Sequence, residues 1–448
     1  MWSGFCKASG NAGITASKGH KKRGARNRVK TSACLAAPVA PATTLGRVLK
    51  YAQKVYGLCM QLRGVGDGRV KPRIPAGRVA LSYVLLLLAR LGSLNALEQR
   101  KPPPVWAKWL GGKMPSADVM GDVASSLRLD QLRGILGAQH AKAKRNKGFR
   151  PDSGGLRFLV LDGHEGVASY RRSWKDCLER VVHCAKADRT QHYFRYVAAY
   201  LTNGKQRLML DAESQLPGEG EIACATRLVT RLLERYPRAF DVVCGDNLYM
   251  DPGLWKLIRA HRKHVIAVLK NENRDLLQDA RSLLANAAPI HLDDHKVRRT
   301  CWDLQGFATW PQCGEQVRVV RSVEETSVRR QNNREKETLV SEWFWVTSLP
   351  MSLANTHTII RAGHGRWHIE NYGFNELSNQ WHGDHAYRYT AHALVACTLL
   401  LFIAYNLFHA FLERNLKPQA RAGRSKKYWA DLIAAEFVVV FHRSPKPT

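Results

Sequence analysis

The chain predicts an α/β fold with a mixed sheet, its strands and helices following the order βββαβαβ. Two short apolar runs that each close on an aspartate predict it, together with a hairpin signal between the second and third strands. Phe158 to Leu161 is too short for a buried helix and rich in branched and aromatic side chains, and it ends on Asp162-Gly163. Phe240-Asp241-Val242-Val243-Cys244-Gly245-Asp246 repeats that pattern 84 residues on. Either aspartate alone reads as a turn or helix cap. Two carboxylates delivered at one end of a sheet can instead share divalent cations, which take oxygen ligands.

Residues 1–46 read as a disordered basic tail. No acidic residue precedes Asp67, and Lys21, Lys22, Arg23, Arg26, Arg28 and Lys30 cluster among Gly, Ser and Ala. So few large apolar groups do not offset the entropy of ordering. A nucleic-acid tail, an organellar transit peptide and a start codon assigned too early all fit this composition. Residues 47–150 read as a helical domain. Val84 to Leu88 is apolar, but Arg90 and Glu98 bound the run, well short of the ~20 residues of a membrane span. Ser116, with Asp118 in the first turn, marks a helix start, and Leu127, Leu132 and Leu136 then recur near helical spacing. The segment ends in Lys142, Lys144, Arg145 and Lys147, which fits phosphate contacts by a DNA-binding domain and equally a solvated basic face.

The core is assigned to 151–271 and 343–412. After the strand ending at Asp162, a basic excursion from Tyr170 to Arg189 leads to the strand-like run His192 to Leu201. Asn203-Gly204 is the strongest hairpin signal, and Arg207 to Ala212 returns as the partner, completing an antiparallel meander. Glu221 to Tyr236 has the periodicity of a crossover helix to the strand ending at Asp246; a further helix around Leu254 and Ile258 and the strand Val265 to Leu269 follow. Residues 272–342 form a β-rich insertion. It begins with a helix near Arg274 to Ala285, Val317 to Val323 alternates, and a strongly β-prone run at Glu342 to Thr347 follows. Trp302 and Trp310 are placed in its turns, where they either stack on an unpaired base or pack a small β domain, the second being favoured.

Glu370 follows in Gly363-His364-Gly365-Arg366-Trp367-His368-Ile369-Glu370-Asn371. Phe374, Leu377 and Trp381 continue at helical spacing, so Glu370 lies one turn beyond Arg366 on the same helix face. Leu394 to Phe411 is the most hydrophobic stretch. His392, Asn406 and His409 fall at or within it, so it reads as a buried helix covering the sheet rather than a membrane span. Residues 413–448 form a basic C-terminal segment whose apolar run Tyr428 to Val440 suggests an oligomerisation helix.

Strand-Asp, strand-Asp, helix-Glu in that order, with Arg366-x-x-x-Glu370, resembles the insertion-sequence DDE transposases of the IS-four type, whose catalytic core is RNase H-like. The helix of that family carries Tyr-x-x-Arg-x-x-x-Glu, six residues and a Lys. Here Gly363 stands at the tyrosine position and Leu377 at the lysine position. The resemblance implies an enzyme that cuts transposon ends and joins them to target DNA by two-metal phosphoryl transfer. Two Mg²⁺, with Mn²⁺ able to substitute, would be held by Asp162, Asp246 and Glu370, with Asp162 bridging both ions. Arg366 would hold a phosphate near Glu370. Also implied are a helical DNA-binding region ahead of the core, double-stranded DNA (terminal inverted repeats and target) as partner, a dimer on the DNA ends, and a bacterial cytoplasm, near the nucleoid. Glu165, Asp211 and Glu213 are the rival carboxylates. A metal-dependent nuclease that cuts without joining, and an inactive DNA-binding descendant, stay open beside this reading.

Composition points the same way. With 69 Lys+Arg against 37 Asp+Glu, the net charge of +32 repels itself in a compact fold unless a polyanion shares it. Nucleic acid is the first partner to expect and an anionic membrane surface the second. The ten cysteines include no Cys-x-x-Cys pair, which argues against a disulfide scaffold. Cys177, His183 and Cys184, or Cys301 and Cys313, lack a four-ligand zinc spacing.

Overall fold

A long strand, β1 (Phe158–Ser169), is the axis around which the sheet is built. The computed structural model describes residues 43–99, 107, 109–149, 151, 155–185, 187–202, 207–270, 272, 274–294, 297–329 and 336–442. The other strands are β2 (Leu178–Val182), β3 (Arg189–Thr202), β4 (Arg207–Ser214), β5 (Val242–Gly245), β6 (His264–Val268), β7 (Ile290–Asp294), β8 (Val297–Phe307), β9 (Val317–Arg329) and β10 (Lys336–Thr347). They lie in the order β2-β3-β1-β5-β6-β10-β9-β8-β7, with β4 also paired to β3. β1, β5 and β6 run parallel to one another, while every other pairing is antiparallel. The parallel neighbours need crossovers, which the helices Glu221–Arg235 and Pro252–Ala260 supply.

Four expectations are corrected here. β1 does not open into a turn at Asp162 but runs on to Ser169, because β3 stays paired with it as far as Ser169↔His192. What ends near Asp162 is the partner on the other side, since the last β1–β5 pair is Val160↔Cys244. The excursion before β3 contains an extra strand, β2, on β3's outer edge. The β-rich insertion is not a sheet of its own. Its strands extend the core sheet through β10, whose Trp345, Val346 and Thr347 pair with Val268, Ala267 and Ile266 of β6. Trp302 accordingly sits within β8 rather than in a turn. It is half-buried opposite Arg321, whose guanidinium carbon lies 4.6 Å from the ring centroid. Trp310 is buried edge-on against Trp255 at 4.9 Å. The Asn203-Gly204 turn lies outside the described residues, although Thr202 and Arg207 on either side of it pair.

Apolar side chains alternate across the sheet and build two cores. Leu159, Leu161 and Val243 face the crossover helices and Asp275–Ala285, whereas Phe158, Val160, Val242 and Cys244 face the N-terminal helices and the helix Ala391–Arg414. The N-terminal helices thus share a core with the sheet. Most of the expected tail lies outside the described residues, but its last positions are helical. Thr44–Tyr51 is capped by Thr43 and buries Leu45, Val48 and Leu49. Glu436, on the helix Lys426–His442, accepts the backbone N–H of Thr44 and Leu45 at 2.9 and 2.7 Å. Trp429, Ala430, Ile433 and Phe437 of that C-terminal helix are buried in the chain's own core, so the face expected to pair with another copy is used within the chain.

Ala391–Arg414 passes the length and hydropathy test for a membrane span, yet 94% of its most apolar window is buried inside the fold. Its polar positions explain themselves by what they touch. Asn406 donates to the Met209 carbonyl at 2.8 Å and accepts the Met209 N–H at 2.9 Å, beside the register shift of β4 against β3. An asparagine amide therefore completes a strand edge with helix side-chain groups. Replacing it strands two buried backbone groups, at about 1–3 kcal/mol each. Asn406→Leu is expected to lower the thermal unfolding midpoint by several degrees, more than Cys397→Ala on the same helix; an unchanged midpoint would contradict this.

Candidate active site

The offset between the two aspartates is the register of the sheet. Phe158, Leu159 and Val160 pair with Val242, Val243 and Cys244, each 84 positions on, so the same register carried two residues further sets Asp162 beside Asp246. Adjacent strands are ~4.8 Å apart. β5 stops at Gly245, and Asp246 caps a short 3₁₀ turn by accepting the Leu248 N–H at 2.8 Å. Asp162 accepts the Gly163 N–H at 2.9 Å. Asp246 therefore does serve as a local cap, whereas Asp162 lies within β1 and caps no turn or helix.

The third carboxylate arrives on a different element. The helix Thr356–Gly365, capped by Asn355, leads through Arg366 into a π-helical segment, Ile369–Phe374, that carries Glu370. Regular α-helix was expected here. A π-turn leaves backbone groups without their usual partners. Tyr405 of the buried helix meets one of them, donating its hydroxyl to the Tyr372 carbonyl at 2.6 Å. Phe374 stacks on His164 of β1 at 4.4 Å between ring centroids, which pins the segment against the strand bearing Asp162. Gly363 is dictated by contact. A Cβ there would collide with the indole of buried Trp345, so the position has no room for a larger side chain.

Arg366 joins the pieces. It is buried at 6% exposure, and its Nη1 lies 3.5 Å from Asp162 Oδ2 and 3.3 Å from Glu370 Oε1. The expected phosphate holder thus faces two carboxylates. Burial pushes the Asp162 carboxyl up to about 7; Arg366 opposes this, and the negative charges of Glu370, Asp246 and Glu221 add to it.

Glu221 was not foreseen. It is the first residue of the crossover helix, 3.1 Å from the Tyr249 hydroxyl and 2.5 Å from Arg195 Nη2, and its carboxylate fills the space a Cβ on Gly163 would need. Its one sequence signal was an acidic residue opening a helix, which is common. The rival carboxylates are engaged elsewhere. Glu165 pairs with Arg180 at 2.7 Å, while buried Asp211 is held by Arg133 and Arg231 at 2.9 and 2.8 Å. Glu213 pairs with Arg231 at 2.6 Å.

Oxygen donors gathered where β5 ends, one with its charge disfavoured chiefly by burial, have the chemistry of a hard-cation site. The triad is not drawn into a closed cage. Among the described residues the three donors lying within 4.8 Å of one another are Cys177, Glu179 and His192 instead.

The other expected DNA contacts lie away from this site. Lys142, Lys144, Arg145 and Lys147 close the helix Leu129–Arg145 or follow it, and Lys144 reaches the Arg238 carbonyl at 3.4 Å. That carbonyl also binds Arg157, just before β1, so the cluster borders the opposite end of the strands from Asp162. Trp302 is four strands away from β5.

Carboxylates within β1, just past β5 and on a later helical segment, set in a large mixed sheet with helices on both faces, fit an RNase H-like fold. The chain matches the model of the transposase DDE domain over residues 155–407, more than half its length. It belongs to that family and is a DDE transposase, whose substrate is DNA and whose relatives generally use divalent metal ions. No curated protein matches it.

The raised Asp162 carboxyl predicts a pH dependence. A folded pKa of about 7 against 3.8 for a free side chain means the fold favours the protonated form. The associated stability is present below the unfolded value and lost as pH rises through the folded one. In metal-free protein, Asp162→Asn should therefore raise the unfolding midpoint by an amount that grows between about pH 4 and about pH 7 and then levels off. A gain independent of pH would show that the side chain ionises normally.

Proposed function

We propose that this transposase cuts the ends of a mobile DNA segment and joins them to a target, with Asp162, Asp246 and Glu370 holding the catalytic cations. The observation that carries this is the shared register of the two aspartates together with the Arg366 bridge to Glu370. Asp162, Asp246 and Glu370 would hold divalent cations, proposed as two Mg²⁺, which would supply activation of a water or hydroxyl and charge stabilisation of the leaving oxygen. Mn²⁺ would serve in their place.

The chain's own residues set the geometry. Asp162 is central, flanked by Asp246 just past the end of β5 and linked through Arg366 to Glu370. Arg366 holds the two carboxylates in place and would bind a DNA phosphate beside them. One acidic site accommodates cutting and joining alike, since only the attacking oxygen changes from water to a DNA 3′-hydroxyl. The strong positive charge of the whole chain favours binding along the DNA backbone. Two copies, one on each DNA end, would place both ends for joining. A bacterial cytoplasm, where chromosomal DNA is accessible, is the proposed location.

The test is a strand-transfer assay with a labelled DNA end, a plasmid target and Mg²⁺. Asp162→Asn, Asp246→Asn and Glu370→Gln should each reduce cutting and joining by about 10²–10³-fold while DNA binding persists. A variant that cuts like the parent would remove its residue from the site. Cutting with no joined product would make the protein a nuclease, and binding with no cutting by the parent would make it an inactive descendant.

A further inference from the structure

The edge of the sheet beyond β3 carries a second constellation of metal-binding groups, unrelated to the acidic triad. Glu179 of β2 and His192 of β3 are direct partners across an antiparallel pair, and Cys177 stands immediately before β2. Cys177 Sγ lies 3.6 Å from His192 Nδ1 and 3.9 Å from Glu179 Oε1, and Glu179 Oε1 lies 3.0 Å from His192 Nδ1. A tetrahedral zinc ion with bonds of ~2.3 Å to sulfur and ~2.0–2.2 Å to nitrogen and oxygen separates its ligand atoms by about 3.4–3.6 Å. The three measured distances bracket that span, so an ion fits among these atoms with small side-chain shifts.

We propose that Cys177, Glu179 and His192 form a zinc site, with the fourth position open to solvent. Thiolate, imidazole and carboxylate together suit Zn²⁺, whereas Mg²⁺ takes oxygen alone. Two backbone features aim the cysteine at its partners. Asp176 adopts a left-handed conformation (φ 63°), and the Cys177 N–H donates to the Trp174 carbonyl at 3.2 Å. Trp174 is itself buried, its ring 5.5 Å from that of Tyr389. The nearby alternatives are placed otherwise: His183 pairs with Asp188 at 3.0 Å, and Cys184 is exposed. His192 pairs on its other side with Ser169 at the end of β1. An ion here would therefore fasten the short strand β2 to β3, beside the far end of β1. Strand pairing, not sequence spacing, assembles the ligands, which is why no zinc pattern is visible along the chain.

The thiolate makes the test specific, because cations at the acidic triad give no sulfur charge-transfer band. Metal-free full-length protein is titrated with Co²⁺ and then Zn²⁺, and the near-ultraviolet sulfur-to-cobalt absorption is followed. Wild type and Cys184→Ser should both develop the band and lose it to Zn²⁺. Cys177→Ser should lack it, while His192→Gln and Glu179→Gln should bind Co²⁺ at least about tenfold more weakly. Zn²⁺ should also raise the unfolding midpoint of the wild type but not of His192→Gln, which covers the case in which Cys177→Ser fails to fold. A wild type without the band, a band that survives in Cys177→Ser, or a His192→Gln variant that binds Co²⁺ like the parent would overturn the proposal.

Discussion

The site depends on one constraint: the parallel pairing of β1 with β5 in a fixed register. Because side chains alternate along a strand, a slip of one residue would send every side chain to the opposite face and take Asp246 away from Asp162. The register is held from both faces. Leu159 and Val243 are packed under the crossover helices, and Val160 and Cys244 under the helices on the other side. Below the strands, Arg157 locks the pair again by binding the Asp241 carboxylate at 2.9 and 3.0 Å. The parallel segment is only a few residues long, so these contacts rather than ladder length fix it.

Electrostatics explains why the acidic cluster survives in so basic a chain. Burial, with the charges of Glu370, Asp246 and Glu221, raises the proton affinity of Asp162; Arg366 opposes this, and Arg195 pairs with Glu221. The carboxylates of β4 are consumed by arginines. Asp211, 1% exposed, joins Arg133 of an N-terminal helix to Arg231 of the crossover helix. That buried network, with the Asn406 amide and the Gln139 side chain that meets it, ties the N-terminal helices and the long buried helix to β4. The region read as a separate helical domain is thereby part of the scaffold that supports the sheet.

Much of this was legible in the sequence where chemistry is local. The apolar runs ending at Asp162 and Asp246, the crossover helix and the Arg366–Glu370 spacing all express short-range periodicity, and the 84-residue interval between the aspartates proved to be the strand register itself. What escaped was decided by pairing across the sheet. β1 runs past Asp162 because β3 does, the insertion strands join the core because Trp345 to Thr347 find β6, and Glu221 reaches the site only because a helix begins over Gly163. The apolar C-terminal helix looked free to pair with another copy because nothing in its periodicity reveals that Glu436 caps the first helix. Gly363 carried no visible reason until Trp345 was found in the space its side chain would need.

The central claim is that three acids distant in the chain surround one cation position. Iron-directed backbone cleavage measures this directly: Fe²⁺ is bound in place of Mg²⁺, ascorbate and peroxide generate radicals at the ion, and the fragments are sequenced. Cuts clustered around Asp162, Asp246 and Glu370, all suppressed by excess Mg²⁺, are the predicted result. Cleavage confined to one of these segments, or falling elsewhere and indifferent to Mg²⁺, would contradict the account.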